Sequence, residues 1–155
     1  MKKTHYYRNT VTWTGNTGAG TSTYQSYRRD FSVSAEGKPG LLASADAAFR
    51  GDPAKYNPED MLLMAVSSCH MLWFLHLCAD NGIVVVEYTD HAEGIMEEFQ
   101  GGGGHFTKII LHPLVRITDG SKIMLADSLH KQAGEKCFIT NSCRFPVEYE
   151  SECFS

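Results

Sequence analysis

Two cysteines hold the chemistry most available to this chain. Cys69 lies in the middle of an almost wholly apolar segment, Met61 to Ala79 (MLLMAVSSCHMLWFLHLCA), and Cys137 opens Cys-Phe-Ile-Thr-Asn-Ser just after a second helical pattern. A thiol inside so apolar a helix is either inert packing or a guarded reagent. Two thiols at helix-associated positions make a redox pair possible, because a thiolate is both a nucleophile and a two-electron reductant. The three other cysteines, Cys78, Cys143 and Cys153, bring the count to five in a chain that opens on no secretory signal. An odd number in that context argues against a structural disulfide framework, and these three are expected to be small buried or incidental side chains.

Charged candidates are few. Arg29 shares parity with Tyr27, Phe31 and Val33 in the alternating segment Tyr24 to Ala35, whereas Arg28 falls on the other face. An inward arginine needs an anionic partner, and exposure at a sheet edge is the alternative. Arg50 stands close before the helix start and could pair with Asp52. Glu59 sits in Asn57-Pro58-Glu59-Asp60, where negative charge favours a helix N-terminus. His70 follows Cys69 but lies about 100° around the helix from it, which suits a packed or interface histidine better than a base. Cys69 and His76 share a helix face, and with His105 or His112 they could make a metal set, but no Cys-x-x-Cys or His-x-x-x-His spacing supports it. The Gly-rich stretch Gln100 to Gly104 could hold an anion on its backbone, yet it opens no helix and carries no nucleotide pattern.

These residues must be positioned by a modest set of elements. Tyr6 to Thr14 alternates as a half-buried strand, with Tyr7, Val11 and Trp13 on one parity, and Tyr24 to Ala35 answers it as the second arm of a hairpin. Leu41 to Ala45 can add a short strand. Asn57 is a good N-cap, Pro58 fits the first helical position, and Asn81-Gly82 stops the helix near Asp80. Ile83 to Glu98 and Phe106 to Ile117 form a long hairpin, with a bulge or edge at Pro113. Asp119 to Glu135 is a second amphipathic helix, capped by Ser121, with Met124, Leu125, Leu129 and Ala133 toward the core. Phe145 to Tyr149 closes the chain as a strand. The order is ββαββαβ, with no repeat or linker, so residues 1–155 are expected to form one α+β domain.

Asn57-Pro58-Glu59-Asp60-Met61-Leu62, then Ser67-Ser68-Cys69-His70, then Cys137 with Asn141, resemble the OsmC/Ohr family of thiol peroxidases over nearly the whole chain. Phe49-Arg50-Gly51-Asp52 and Cys69-His70-Met71-Leu72 are similar to a less studied branch. The resemblance implies antiparallel strands around long central helices in an intertwined homodimer. It implies a peroxidase acting on organic hydroperoxides, with hydrogen peroxide a second candidate substrate, and with Cys69 as the peroxidatic and Cys137 as the resolving thiol. Glu59 would orient an arginine, Arg29 or Arg50, that supports the thiolate, and an external dithiol, of lipoyl type for instance, would be the reductant with no bound cofactor or metal. Better-known members carry proline after the second cysteine, where this chain has Phe138, so resolution by Cys143 stays open.

Ten residues of helix place Glu59 and Cys69 about 15 Å apart. If both serve one peroxide, a second chain or a bent helix must bring them together, and a two-fold homodimer would also bury the apolar helix. The bounds from composition agree with a small-molecule partner. Fourteen basic and 18 acidic side chains give a net charge of -4, and no basic run is dense enough for nucleic acid. The N-terminus shows no leader, so a cytoplasmic protein is expected. Met61 to Ala79 is long enough to span a membrane, but its Ser67, Ser68, His70 and His76 and the absence of basic anchors speak against that. A carrier of apolar ligands, using Trp73, Phe74 and the methionines, is the rival to catalysis besides a metal protein.

Overall fold

The computed structural model describes residues 2–155, which fall into two compact units, one up to Met61 and one over Leu62–Ser155. The first unit is a three-stranded antiparallel sheet of β1 (Thr10–Trp13), β2 (Phe31–Ser34) and β3 (Leu41–Ala43), in the order β1-β2-β3. Both long strands expected here are shortened. The turn-rich connection keeps Tyr24 to Asp30 out of regular structure, and Gly18 and Gly20 adopt positive φ in it. Strand β1 is exposed along its whole length, not half-buried as its alternation predicts, because no second layer of this unit covers it. Trp13 is nevertheless held, its indole Nε1 donating to the Arg28 carbonyl at 2.9 Å and its ring meeting Tyr27 edge-on.

Helix α1 spans Pro58–Asp80, with both ends where the sequence puts them. At the start the Asn57 side chain accepts from the Asp60 N–H at 2.7 Å, and the Asp60 carboxylate accepts from the Asn57 N–H at 3.2 Å. This reciprocal box satisfies two of the orphan groups of a helix start. At the end, Gly82 takes φ 63° and the Ile83 N–H reaches back to the Cys78 carbonyl at 2.8 Å. That is the left-handed closure for which glycine is suited.

In the second unit the long hairpin is present but broken into four strands: β4 (Val85–Asp90), β5 (Glu93–Glu98), β6 (Gly104–Leu111) and β7 (Pro113–Ile117). Strand β5 pairs with β6 and β4 with β7, both antiparallel. The hairpin bends at His91-Ala92 on one arm and His112 on the other, where Pro113 lacks the N–H to continue a ladder. Asp90 pins that bend, accepting from the His112 N–H at 2.7 Å and from the Ser67 hydroxyl of α1. The chain then runs through a 3-10 turn (Gly120–Lys122), α2 (Ile123–Lys136), a second 3-10 turn (Thr140–Ser142), β8 (Val147–Tyr149) and β9 (Glu152–Phe154). Strand β9 is not foreseen in the sequence. Strands β8 and β9 pair parallel with β6 and β7, so the sheets β5-β6-β8 and β4-β7-β9 are mixed rather than wholly antiparallel.

Each sheet packs a part of the helices. Val66 of α1 meets Ile109 and Leu111 of β6, with Phe145, Val147 and Tyr149 around them. Phe74, Leu77 and Cys78 pack with Val115, Ile117 and Cys153 and with Ala126, Leu129 and Ala133 of α2. The buried stripe of α2 is therefore Ala126, Leu129, His130, Ala133 and Gly134. Met124 and Leu125, expected inward, are 86% and 41% exposed, outside the stripe of Ala126, Leu129 and Ala133 that meets the core. The cap of that turn is Asp119, which accepts from the Ser121 N–H, rather than Ser121 itself. Helix α1 is apolar and long enough to cross a membrane, yet only 28% of its most apolar stretch is buried within the chain. Leu72 and Met64 stand 63% and 42% exposed on its outer side.

Candidate dithiol site

Cys69 and Cys137 come together in the second unit. Cys69 is half-buried on α1, and Cys137, fully buried, is the residue that ends α2. Both thiols are free. Burial raises the Cys69 pKa above its ordinary value, and the neighbouring Cys137 thiol raises it further, while the backbone N–H groups of Ile139 and Phe138 pull the other way. Helix α2 ends at Lys136 with extended backbone at Cys137, so the chain leaves the helix here and brings the amide groups of Phe138 and Ile139 to the Cys69 sulfur. The Thr140 N–H donates to Cys137 Sγ at 3.3 Å. Fixed N–H dipoles aimed at a sulfur stabilise its anion without a formal charge.

Cys143 belongs to the same cluster. Its thiol donates to the Ile139 carbonyl at 3.3 Å, and burial together with the Cys137 thiol raises its pKa. The thiols of Cys78 and Cys153 lie instead within the apolar core, as expected, and burial raises both, Cys78 to about 11.

His70 turns away from this site into the core, as its helix phase predicts. It is fully buried, its Nε2 lies 3.0 Å from Nδ1 of His130, and its ring stacks on Tyr149. The His130 ring stacks on Phe74 at 4.0 Å, and its Nε2 lies 3.9 Å from Cys153 Sγ. Burial lowers the two imidazole pKa values to about 4 and about 3, with His70 adding to the effect on His130. Both are therefore neutral near pH 7, one donating to the other. Sequence reasoning passed over His130 and Tyr149. His130 follows Leu129 in the Ala126, Leu129, Ala133 stripe, a signal that would have placed it inward.

The charged candidates lie in or at the edge of the first unit. Arg29 is not on the inward face of a strand but in the turn before β2. It needs no anion: its guanidinium donates to the Tyr27 and Tyr24 carbonyls at 2.6 and 2.7 Å, and lies 4.1 Å from each of those two rings. Arg50 ends a 3-10 turn (Ala47–Phe49) in left-handed backbone, φ 66°, with its guanidinium 5.9 Å over Tyr24. It does not pair with Asp52, whose carboxylate meets Lys55 at 3.3 Å. The two arginines share a cavity of about 240 Å³ with Arg28, Asp30, Ser44, Gly51 and Asp52. Glu59 stands in the first turn of α1 without an ion pair among the described residues. Since α1 is continuous from Pro58 to Asp80, Glu59 and Cys69 remain about 15 Å apart along its axis. No group of three or more histidine, cysteine or acidic side chains gathers as a metal set among the described residues.

Comparison with known proteins agrees with this architecture. The family model described as OsmC-like protein matches residues 51–152. The chain belongs to the OsmC-like family, and its mixed α+β fold is the OsmC/Ohr fold. An OsmC-like protein of unknown function from Vibrio cholerae is 32% identical, with a TM-score of 0.86 over 96% of this chain and 100% of that one. An organic hydroperoxide resistance protein from Elizabethkingia anophelis is 17% identical, with a TM-score of 0.69 over 99% of this chain and 98% of the other. One from Legionella pneumophila shares 17% identity at a TM-score of 0.65, covering 98% of this chain and 100% of that chain. Among curated proteins none matches the sequence.

Proposed function

We propose that the chain is a thiol-dependent peroxidase that reduces organic hydroperoxides. The observation that carries this reading is the pair of free thiols, Cys69 and Cys137, set together at the meeting of α1 and the end of α2. The Cys69 thiolate attacks the terminal peroxide oxygen, the O–O bond breaks, and the alcohol leaves with a proton while the sulfur becomes a sulfenic acid. Cys137 attacks that sulfur, expels water and closes the disulfide. An external dithiol, of lipoyl type for instance, returns both thiols by exchange. No bound cofactor or metal has a part in this cycle.

The raised Cys69 pKa is the obstacle the site has to overcome, since only the thiolate reacts. A guanidinium held by Glu59 would answer it. Arg29 has spent its donors on two carbonyls, whereas Arg50 is exposed and free of a carboxylate, which favours Arg50 as the supporting cation. The 15 Å between Glu59 and Cys69 on one helix supports a homodimer in which the partner brings these groups to the thiol and covers Leu72 and Met64. We place the protein in the cytoplasm, as one domain per subunit.

Hydroperoxide consumption with a dithiol reductant tests the reading. Wild type should prefer an organic hydroperoxide to hydrogen peroxide, Cys69→Ser should fall to the uncatalysed background, and Cys137→Ser should consume one equivalent and stop. Unchanged turnover in Cys69→Ser would sink the assignment. A carrier of apolar ligands is the second reading, favoured by a groove of about 500 Å³ lined by Leu63, Met64, Met71 and Tyr88. Ligand binding with no turnover would select it. Phe74, named for that role in the sequence, is fully buried and cannot line such a site.

A further inference from the structure

We propose that Cys143 is a third redox thiol, which takes the disulfide from Cys69–Cys137 to Cys137–Cys143 and so returns Cys69 to its thiol state while the oxidation is held by the other two sulfurs. The inference rests on the peroxidase reading for the origin of the first disulfide. Three observations support it. Cys137 is fully buried between two half-buried thiols of the same cluster, Cys69 and Cys143, so either can be its disulfide partner. The two thiols are bound to the same peptide group: the Ile139–Thr140 amide donates its N–H to Cys137 Sγ at 3.3 Å and accepts from Cys143 Sγ at 3.3 Å through its carbonyl. Adding the C–N and C=O bonds of a peptide, about 1.3 and 1.2 Å, keeps the two sulfurs within about 9 Å of each other. Last, the segment between them is one 3-10 turn, Thr140–Ser142, with Phe138 69% exposed beside it.

The step balances as an exchange. Cys143 loses its proton and attacks Cys137 Sγ; the Cys69–Cys137 bond breaks, and Cys69 leaves as a thiolate that takes up a proton. The oxidant is the hydroperoxide already consumed in forming the first disulfide, and the exchange itself needs none. Six residues of helical path span about 9 to 12 Å, while a disulfide needs its Cα atoms within about 7 Å. Closure therefore unwinds the Thr140–Ser142 turn and releases both sulfur hydrogen bonds to the Ile139–Thr140 peptide. Cys69 is thereby freed for another peroxide before any reductant arrives, and the half-buried sulfur of Cys143 becomes the point of attack for that reductant.

The test maps disulfides after adding one equivalent of tert-butyl hydroperoxide to the reduced full-length protein and trapping with N-ethylmaleimide. Wild type should yield mainly Cys137–Cys143 with Cys69 alkylated, and Cys143→Ser should stop at Cys69–Cys137. A wild-type bond that stays at Cys69–Cys137 with Cys143 alkylated overturns the relay while leaving the peroxidase reading intact. If the hydroperoxide oxidises no thiol, it is the peroxidase reading that fails, and diamide then decides the exchange separately. Diamide-treated protein ending at Cys137–Cys143 upholds it, and protein ending at Cys69–Cys137 overturns it.

Discussion

Cys69 and His70 are neighbours in sequence, yet they belong to opposite kinds of surroundings. Cys69 looks toward the end of α2, where a second thiol and backbone N–H groups converge on it. His70 looks into the core, where it meets only another imidazole and aromatic faces, and its Nδ1 is buried without a partner. One step of about 100° along a helix separates a reagent from a packing element. The same division sorts the five cysteines. Cys69, Cys137 and Cys143 gather where turns expose polar backbone, while Cys78 and Cys153 sit against Phe74 and Val115 in the core. Residue type is the same in both regions, so surroundings decide reactivity.

The comparison can be broken by crossed substitutions. Cys69→Ser should cost all peroxide turnover and less than about 1 kcal/mol of stability, being a near-isosteric change at a half-buried site. Phe74→Ala should cost about 3–5 kcal/mol in a denaturant melt, since it empties a fully buried ring position between both helices and the β4-β7-β9 sheet. A Cys69→Ser protein that fails to fold would show that the thiol belongs to the core after all.

Acid sharpens the other side of the comparison. The two histidines have folded pKa values of about 4 and about 3, below the ordinary 6.5, so the unfolded chain binds their protons first as pH falls. The stability they contribute is fully present above pH 6.5 and is lost as pH falls through the folded values. Unfolding free energies from urea melts between pH 7 and pH 4 should fall steeply, by a few kcal/mol in total. His130→Leu, which removes one member of the pair, should flatten that dependence; an unchanged slope would mean that the imidazoles are not held neutral.

The smallest effect concerns the wall between the two regions. A Cβ on Gly134 would lie 1.9 Å from the Tyr149 hydroxyl, whose ring also stacks on His70. Gly134→Ala should cost about 1–3 kcal/mol from overpacking. Adding Tyr149→Phe removes the oxygen and should recover most of that loss. No recovery in the double variant would show that the helix backbone, not the phenol, sets the limit.

Much of this was legible in the residues. The Asn57 to Asp60 cap and the Asn81-Gly82 stop fix α1 because caps are local hydrogen-bonding problems solved within four residues. The hairpin and the Gly-rich loop were equally local. Strand β9 and the parallel pairing of β8 and β9 were not, since a three-residue strand acquires its meaning only from the edge it joins. Arg29 was misplaced for a related reason: alternation continued through a turn, and only the folded chain showed that two carbonyls and two tyrosine rings take up its charge. The stripe of Ala126, Leu129 and Ala133 places His130 inward, but its stacking with Tyr149 on His70 joins three segments far apart in the chain and is written in none of them.

The sequence by itself determined the family, the two helices and the thiols worth attention, because capping, periodicity and the Cys69 and Cys137 motifs are written in short stretches. Only the tertiary structure decided which thiols meet. Sixty-eight residues of chain separate Cys69 from Cys137, and their approach depends on the end of α2 being brought to α1, a packing outcome of two sheets and two helices together. Proximity of that kind is non-local, and no pattern along the chain encodes it directly.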